Sequence, residues 1–182
     1  VQDPIHTTVC VLTDKEEIGS EGVTGLNSMY LFQFLRQLCA AHGADDILAF
    51  QNSICLSADV TAAYDPTWAD AFEADNATYA GKGVAIMKYT GARGKSAASD
   101  ASAELLAWLT KILDEQKVAW QVGELGKVDL GGGGTVAKYV AYHNIPTIDI
   151  GVPVLSMHSP FEVVSKADVY MAYKAFEAFI RQ

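Results

Sequence analysis

Basic side chains are scarce in this sequence. Thirteen Lys and Arg stand against 22 Asp and Glu, a formal net charge of -9 with a pI near 4.8. Phosphate recognition needs a basic surface, so the balance argues against a nucleic-acid partner. Long apolar runs are missing too: none approaches the ~20 residues of a membrane span. Cysteines number three, an odd count without a C-x-x-C spacing. That excludes a disulfide frame and points to a reducing, cytoplasmic compartment. Cys10 and Cys55 lie in apolar runs and read as small core residues. There is no secretory pattern, no internal repeat and no linker. The chain opens Val1-Gln2-Asp3-Pro4 without Met, which reads as a processed or cut end.

Apolar residues make up 50% of the 182 positions and charged residues 19%. This composition excludes disorder and fits one domain, or two small ones, with a substantial core. Residues 8–13, 52–56, 83–89, 118–122 and 146–150 read as strands. Helical spacing marks 22–42, with Gly43 as a C′ residue, and 101–116, with Ser99 or Asp100 as cap. A short helix is expected over 136–143, and a final one from Ser165 with Asp168 as its capping-box partner. Alternating strands and helices predict an α/β domain with a mostly parallel sheet. The 60–82 loop is long enough to be functional, and its Trp68, Phe72 and Tyr79 read either as interface or as pocket lining.

Three polar constellations follow predicted strand ends, the edge where open α/β sheets form ligand crevices. The first is Asp14-Lys15-Glu16-Glu17-Ile18-Gly19-Ser20. Adjacent carboxylates in extended backbone point to opposite sides, so one can hold a metal while the other activates water; a solvated charged turn is the other reading. The second is Ser57-Ala58-Asp59-Val60, whose aspartate reads as a ligand or as a turn residue. In the third, Leu155-Ser156-Met157-His158-Ser159-Pro160-Phe161-Glu162, His158 is the one histidine of four at a strand-to-loop junction. Carboxylates with imidazole suit a hydrolytic zinc or similar divalent site. The glycine stretches do not make a nucleotide site. Tyr89 stands where a P-loop ending at Gly94-Lys95-Ser96 needs glycine, and Gly131-Gly132-Gly133-Gly134-Thr135-Val136 lacks the last glycine of a dinucleotide fingerprint. The tetraglycine instead permits close backbone approach to a ligand.

Taken in order, Asp14–Ser20, Ser57-Ala58-Asp59, Gly132-Gly133-Gly134-Thr135-Val136 and Gly151-Val152-Pro153-Val154-Leu155-Ser156-Met157-His158-Ser159 resemble the M18 metalloaminopeptidases, a bacterial branch of the aspartyl aminopeptidase group. The resemblance implies a three-layer αβα sandwich around a mostly parallel mixed sheet, of the binuclear zinc-peptidase type. It implies two divalent ions, zinc first and cobalt or manganese as alternatives. Glu16 would be the general base, Glu17 and His158 ligands of one ion, and Asp59 a ligand of the other. Lys88, Lys95 and Gly133 fall on the substrate side, while Asp14, Asp129 and Glu162 would orient ligands. Peptide substrates and a homo-oligomer, up to a dodecameric shell, are implied as well. The family's upstream histidine and bridging aspartate have no counterpart: Asp3 is only 13 residues before Glu16, and His6 does not match. The two histidines that many members carry after Ser-x-Asp are replaced within Thr61-Ala62-Ala63-Tyr64-Asp65-Pro66. The 182 residues therefore resemble the C-terminal portion of a catalytic domain, without the upstream part or the dimerisation domain. A catalytically incomplete structural subunit is the competing expectation, and a phosphate-binding domain a remote one.

Overall fold

The computed structural model describes residues 4–93, 96–127 and 129–182. Helices α1 (Tyr30–Ala41) and α2 (Asp46–Gln51) precede strands β1 (Cys55–Ala58) and β2 (Thr61–Ala62). Strands β3 (Val84–Met87), β4 (Tyr89–Ala92) and β5 (Ser96–Asp100) lead into α3 (Ala103–Glu115). Next come β6 (Trp120–Val122), α4 (Ala137–Ala141), β7 (Thr147–Gly151), β8 (Pro153–Leu155), β9 (Val163–Val164) and α5 (Lys166–Ile180).

The central sheet runs β1-β7-β3-β6. Strand β7 pairs parallel with β1, placing Ser57 opposite Asp149, and antiparallel with β3, placing Met87 opposite Asp149. The β3–β6 pair is parallel. Strands β3 and β7 are buried at every position, as strands covered on both faces must be. Ile148 and Ile150 point to one face and pack with Leu105, Leu109, Leu113 and Ala175 of α3 and α5. Each such large apolar side chain contributes roughly 1.5–3 kcal/mol by leaving water. The other layer gathers Leu26, Phe32, Phe50, Val140 and Ile145 from α1, α2, α4 and their flanks. His143 stacks on Phe32 there, with ring centroids 3.4 Å apart. The result is the expected three-layer α/β architecture with a mixed sheet. Among the described residues, no helix is long and apolar enough to cross a membrane.

Several local expectations are corrected. Residues 8–13 form no strand, and Leu12 is 92% exposed. A strand needs a neighbouring edge, and the segment's one bridge is Asp14 to Gly25. Cys10 is consequently exposed rather than in the core. The 22–42 helix begins only at Tyr30, because the preceding glycines turn the chain: Gly22 has φ +80°, and a Cβ at Gly25 would overlap the Ser20 carbonyl. The cap of α3 is Ser102, whose Oγ accepts the Leu105 N–H at 3.1 Å, not Ser99 or Asp100. Helix α2 and the β4–β5 hairpin escaped the sequence reading, although Asp45 caps α2 by accepting the Leu48 N–H at 2.9 Å.

Asp168 does not close a capping box. Ser165 accepts its N–H at 3.4 Å, but its carboxylate turns away to the loop before β3. There it accepts the N–H groups of Gly81 at 2.6 Å and Gly83 at 2.8 Å while only 1% exposed. Removing it strands the buried N–H of Gly83 and the part-buried N–H of Gly81. Asp168→Ala is expected to lower stability by about 1–3 kcal/mol in urea denaturation, on the usual cost of an orphaned buried group. A loss under ~0.5 kcal/mol, the range of ordinary surface substitutions, would contradict the anchoring role.

Candidate metal centre

Residues Glu16–Ile18 form a single 3-10 turn, not extended backbone. Left-handed residues bracket it, Lys15 at φ 61° and Gly19 at φ 88°. The Ser20 N–H donates to the Lys15 carbonyl at 2.7 Å and closes the loop. Asp14 pins its entrance, accepting the Lys15 N–H and the Thr24 hydroxyl, both at 2.9 Å. The Tyr139 hydroxyl donates to the Gly19 carbonyl at 3.1 Å and moors the turn to α4. Successive side chains on a tight turn diverge, so Glu16 and Glu17 still face different ways.

Glu17 reaches His158, Oε2 to Nε2 3.2 Å, across more than 140 residues of chain. Both side chains are well exposed, and an exposed pair of this kind adds at most about 1 kcal/mol. Strength therefore does not explain its geometry. Ser156 (φ 58°) and His158 (φ 67°) both sit in left-handed conformations, a strain that clusters at working sites. Glu162 holds the second of them: its Oε1 accepts the His158 N–H at 2.5 Å. It orients the histidine through the backbone, not through the ring.

Asp59 stands half-buried beyond the end of β1, its Oδ1 accepting the Val60 N–H at 2.7 Å. Gly151 makes this placement possible, because a Cβ there would overlap the Asp59 carbonyl oxygen. Burial raises the Asp59 pKa first and the Glu17 charge adds to it, while the Val60 N–H and His158 oppose. Burial likewise raises Glu16, followed by the charges of Asp59 and Glu17, with His158 opposing. Segments distant in sequence thus meet at the Glu17–His158 pair, and Glu16 and Asp59 lie near enough to feel its charges. Among the described residues, however, no three His, Cys, Asp or Glu side chains converge as a ready set for a single ion. Glu17 and His158 are a carboxylate and an imidazole in contact, the donor types a divalent cation takes, and Asp59 is a further carboxylate near them. Clustered carboxylates around one imidazole gain from any cation that joins them.

Substrate-side expectations fare differently. Lys88, between β3 and β4, is paired with Asp100 of β5, Nζ to Oδ1 2.6 Å. Lys95 lies outside the described residues. Gly133 lies in an extended glycine run beside β4: its carbonyl accepts the Gly91 N–H at 2.8 Å, and Gly131 accepts from Arg93 at 2.6 Å. Asp129 sits exposed in the left-handed turn entering that run, at φ 68°.

Asp149 was not foreseen, because Thr147-Ile148-Asp149-Ile150 reads as core. The signal available was a carboxylate inside an otherwise apolar strand. It is 1% exposed, and burial pushes its pKa up to about 6. The hydroxyls of Ser57, Thr135 and Thr90 oppose that shift and the Asp59 charge adds to it. Its Oδ1 and the hydroxyl oxygens of Ser57 and Thr90 nonetheless make no well-formed hydrogen bond. Cys55, beside it, has its thiol pushed up to about 11, chiefly by burial and then by Asp149, and is inert.

The family model for Aminopeptidase I zinc metalloprotease (M18) matches residues 1–180. A probable M18 family aminopeptidase 1 of Borreliella burgdorferi (strain ZS7) is 48% identical across 100% of this chain and 41% of its own length. Its counterpart in Thermotoga maritima is 46% identical across 99% of this chain and 41% of its own length. The crystal structure of the M18 aminopeptidase of Thermotoga maritima superposes with a TM-score of 0.87 at 46% identity, covering 92% of this chain and 38% of that one. Aminopeptidase I of Clostridium acetobutylicum superposes at 0.85 and 44% identity, covering 93% and 37%. The chain spans about two fifths of the length of the curated relatives it matches.

Asp149 carries a pH signature. Its folded pKa lies above the unfolded value of 3.8, so its contribution is full below about pH 4 and is lost as pH rises through about 6. In chelator-treated protein, Asp149→Asn is expected to flatten that decline and to gain stability over the parent at pH 8. Parallel stability curves for parent and variant from pH 4 to pH 8 would contradict this.

Proposed function

This chain belongs to the M18 family of zinc metalloproteases, and on that premise we propose that it supplies the general base and part of the metal set of an aminopeptidase. The observation that carries the reading is the meeting of Glu17 and His158 at 3.2 Å, with Glu16 and Asp59 inside the same electrostatic neighbourhood. Glu17 and His158 would hold one divalent ion and Asp59 the other. Zinc suits this set, and cobalt or manganese suits it as well. When bound, two such ions lower the pKa of a shared water and polarise the scissile carbonyl of a peptide.

The remaining work falls to the chain's own side chains. Glu16 takes the proton from the attacking water on a carboxylate oxygen and delivers it to the amine that leaves as the C–N bond breaks. Its upward-shifted pKa suits both halves of that transfer. Asp14 keeps the Glu16–Ile18 turn closed, and Glu162 keeps His158 in its left-handed conformation. The glycine run around Gly133 lets a peptide backbone approach. Lys88 can meet a substrate carboxylate only by leaving Asp100, Lys95 completes the substrate side, and Asp129 would orient a ligand. Peptide substrates and a homo-oligomeric assembly, a dodecameric shell included, belong to the same reading, as does a cytoplasmic location.

A second reading concerns the 182 residues by themselves. No three donors among the described residues converge on one ion, and cations short of ligands bind weakly. Alone, the chain is then an incomplete part that binds metal weakly and turns over no peptide. The two readings separate when the remaining three fifths of the Thermotoga maritima relative are fused to it. The fusion is expected to hold close to two zinc ions and to release N-terminal residues from short peptides. Glu16→Gln should lower its kcat by at least ~100-fold, the usual reach of a lost general base, with KM little changed. Full activity in that variant would remove Glu16 from its role.

A further inference from the structure

The Glu16–Ile18 turn carries two of the residues that the proposed reaction uses, yet none of its three residues is buried. Core packing therefore does not fix it. Its near bonds stay within one stretch of chain. Asp14 accepts the Thr24 hydroxyl at 2.9 Å, and the Asn27 N–H donates to the Ser20 carbonyl at 3.1 Å. Such bonds shape residues 14–27 but travel with them. The Glu17–His158 contact reaches further, but both of its side chains are well exposed, and pairs of that kind hold weakly.

The bond from Tyr139 differs. It spans 120 residues of sequence and ends on backbone. The hydroxyl donates to the carbonyl of Gly19, the residue that closes the turn by donating its own N–H to the Glu16 carbonyl at 3.0 Å. Tyr139 is itself well held. Its ring packs, partly buried, on the cluster of Leu26, Phe32, Phe50, Val140 and Ile145, and Lys138 Nζ lies 4.7 Å from the ring centroid. A tyrosine has only two side-chain torsions to fix, so a packed ring places its hydroxyl at low entropic cost. Ala137 and Val140 are both buried and seat α4 in the core. The same helix opens directly after the glycine run, where Thr135 Oγ1 accepts the Ala137 N–H at 3.3 Å. Gly131 and Gly133 of that run accept the Arg93 and Gly91 N–H groups. One short helix thus connects the turn that bears Glu16 with the run read as the substrate side.

We propose that Tyr139 is a positioning residue: its hydroxyl, carried by α4, holds the Glu16–Ile18 turn in place against the glycine run. This rests on the reading of Glu16 as the general base, and it deepens that reading by naming what sets the base against the substrate. A hydroxyl that served stability alone would move Tm and leave kcat. Misplacing a reacting group by ~1 Å can cost up to about 100-fold in rate.

Two readouts test it. In the metal-free 182-residue chain, amide exchange is followed at Gly19 and Ser20, whose N–H groups close the turn. Tyr139→Phe keeps the ring and removes the hydroxyl. It is expected to speed exchange at both amides about 2–10-fold, the reach of one net hydrogen bond. In the fusion described above, the same variant is expected to lower kcat about 10-fold or more with KM little changed. Tyr139→Leu, which removes the ring as well, should share both effects. Parent-like kcat in the phenylalanine variant overturns the proposal, as does unchanged exchange at both amides. Losses confined to the leucine variant assign Tyr139 to packing and overturn it too. If the fusion turns over no peptide, or Glu16→Gln keeps full activity, the base reading fails separately. Exchange at Gly19 and Ser20 then decides whether the hydroxyl holds the turn: faster supports it, unchanged overturns it.

Discussion

Carboxylates that crowd each other need a reason to be together. Glu17 and Asp59 both raise the proton affinity of Glu16, Glu17 does the same to Asp59, and His158 opposes each shift. An isolated folding domain would gain by separating these groups, since like charges at short range cost stability and exposed pairs return little. The chain instead spends three irregular segments on bringing them together. A 3-10 turn closed by left-handed residues presents Glu16 and Glu17. A left-handed His158 is held by Glu162. Asp59 packs its backbone against a glycine that admits no side chain.

The mixed sheet makes this convergence possible. Because β7 runs parallel to β1 and continues through Gly151 into β8, the loop bearing His158 and the end of β1 emerge on the same side. Parallel strands deliver their following loops to one edge, and that edge is where α/β sheets place chemistry. The α1–α2–α4 layer reaches the Glu16–Ile18 turn through Tyr139, which packs on that layer and donates to the Gly19 carbonyl. On β7, Ile148 and Ile150 feed the core, while Asp149 between them is buried opposite Ser57 of β1.

Much of this was legible from residues alone. Continuous apolar runs marked β3 and β7, and the polar stretches after β1 and β8 drew attention to Asp59 and His158, whereas the Glu16–Glu17 stretch follows no strand. What escaped depended on partners that periodicity does not encode. Residues 8–13 have strand composition, but composition supplies no neighbouring edge, so Cys10 and Leu12 lie exposed. Asp168 carries the spacing of a capping box, yet two loop N–H groups compete for its carboxylate and win. Asp149 was hidden by its isoleucine neighbours, since a polar residue in an apolar strand gives no indication of what it faces. Lys88 looked available until the fold placed Asp100 at 2.6 Å.

The proposed metal binding requires Glu17, His158 and Asp59 to share one cation-binding edge. Crystals of the chain soaked in zinc and recorded on both sides of the zinc absorption edge test it directly. Anomalous density is expected between Glu17 and His158, within the about 2.0–2.2 Å that zinc keeps to carboxylate and imidazole donors, with a second peak beside Asp59. Zinc density confined to other residues, with the Glu17–His158 pair unchanged at saturating metal, would contradict it.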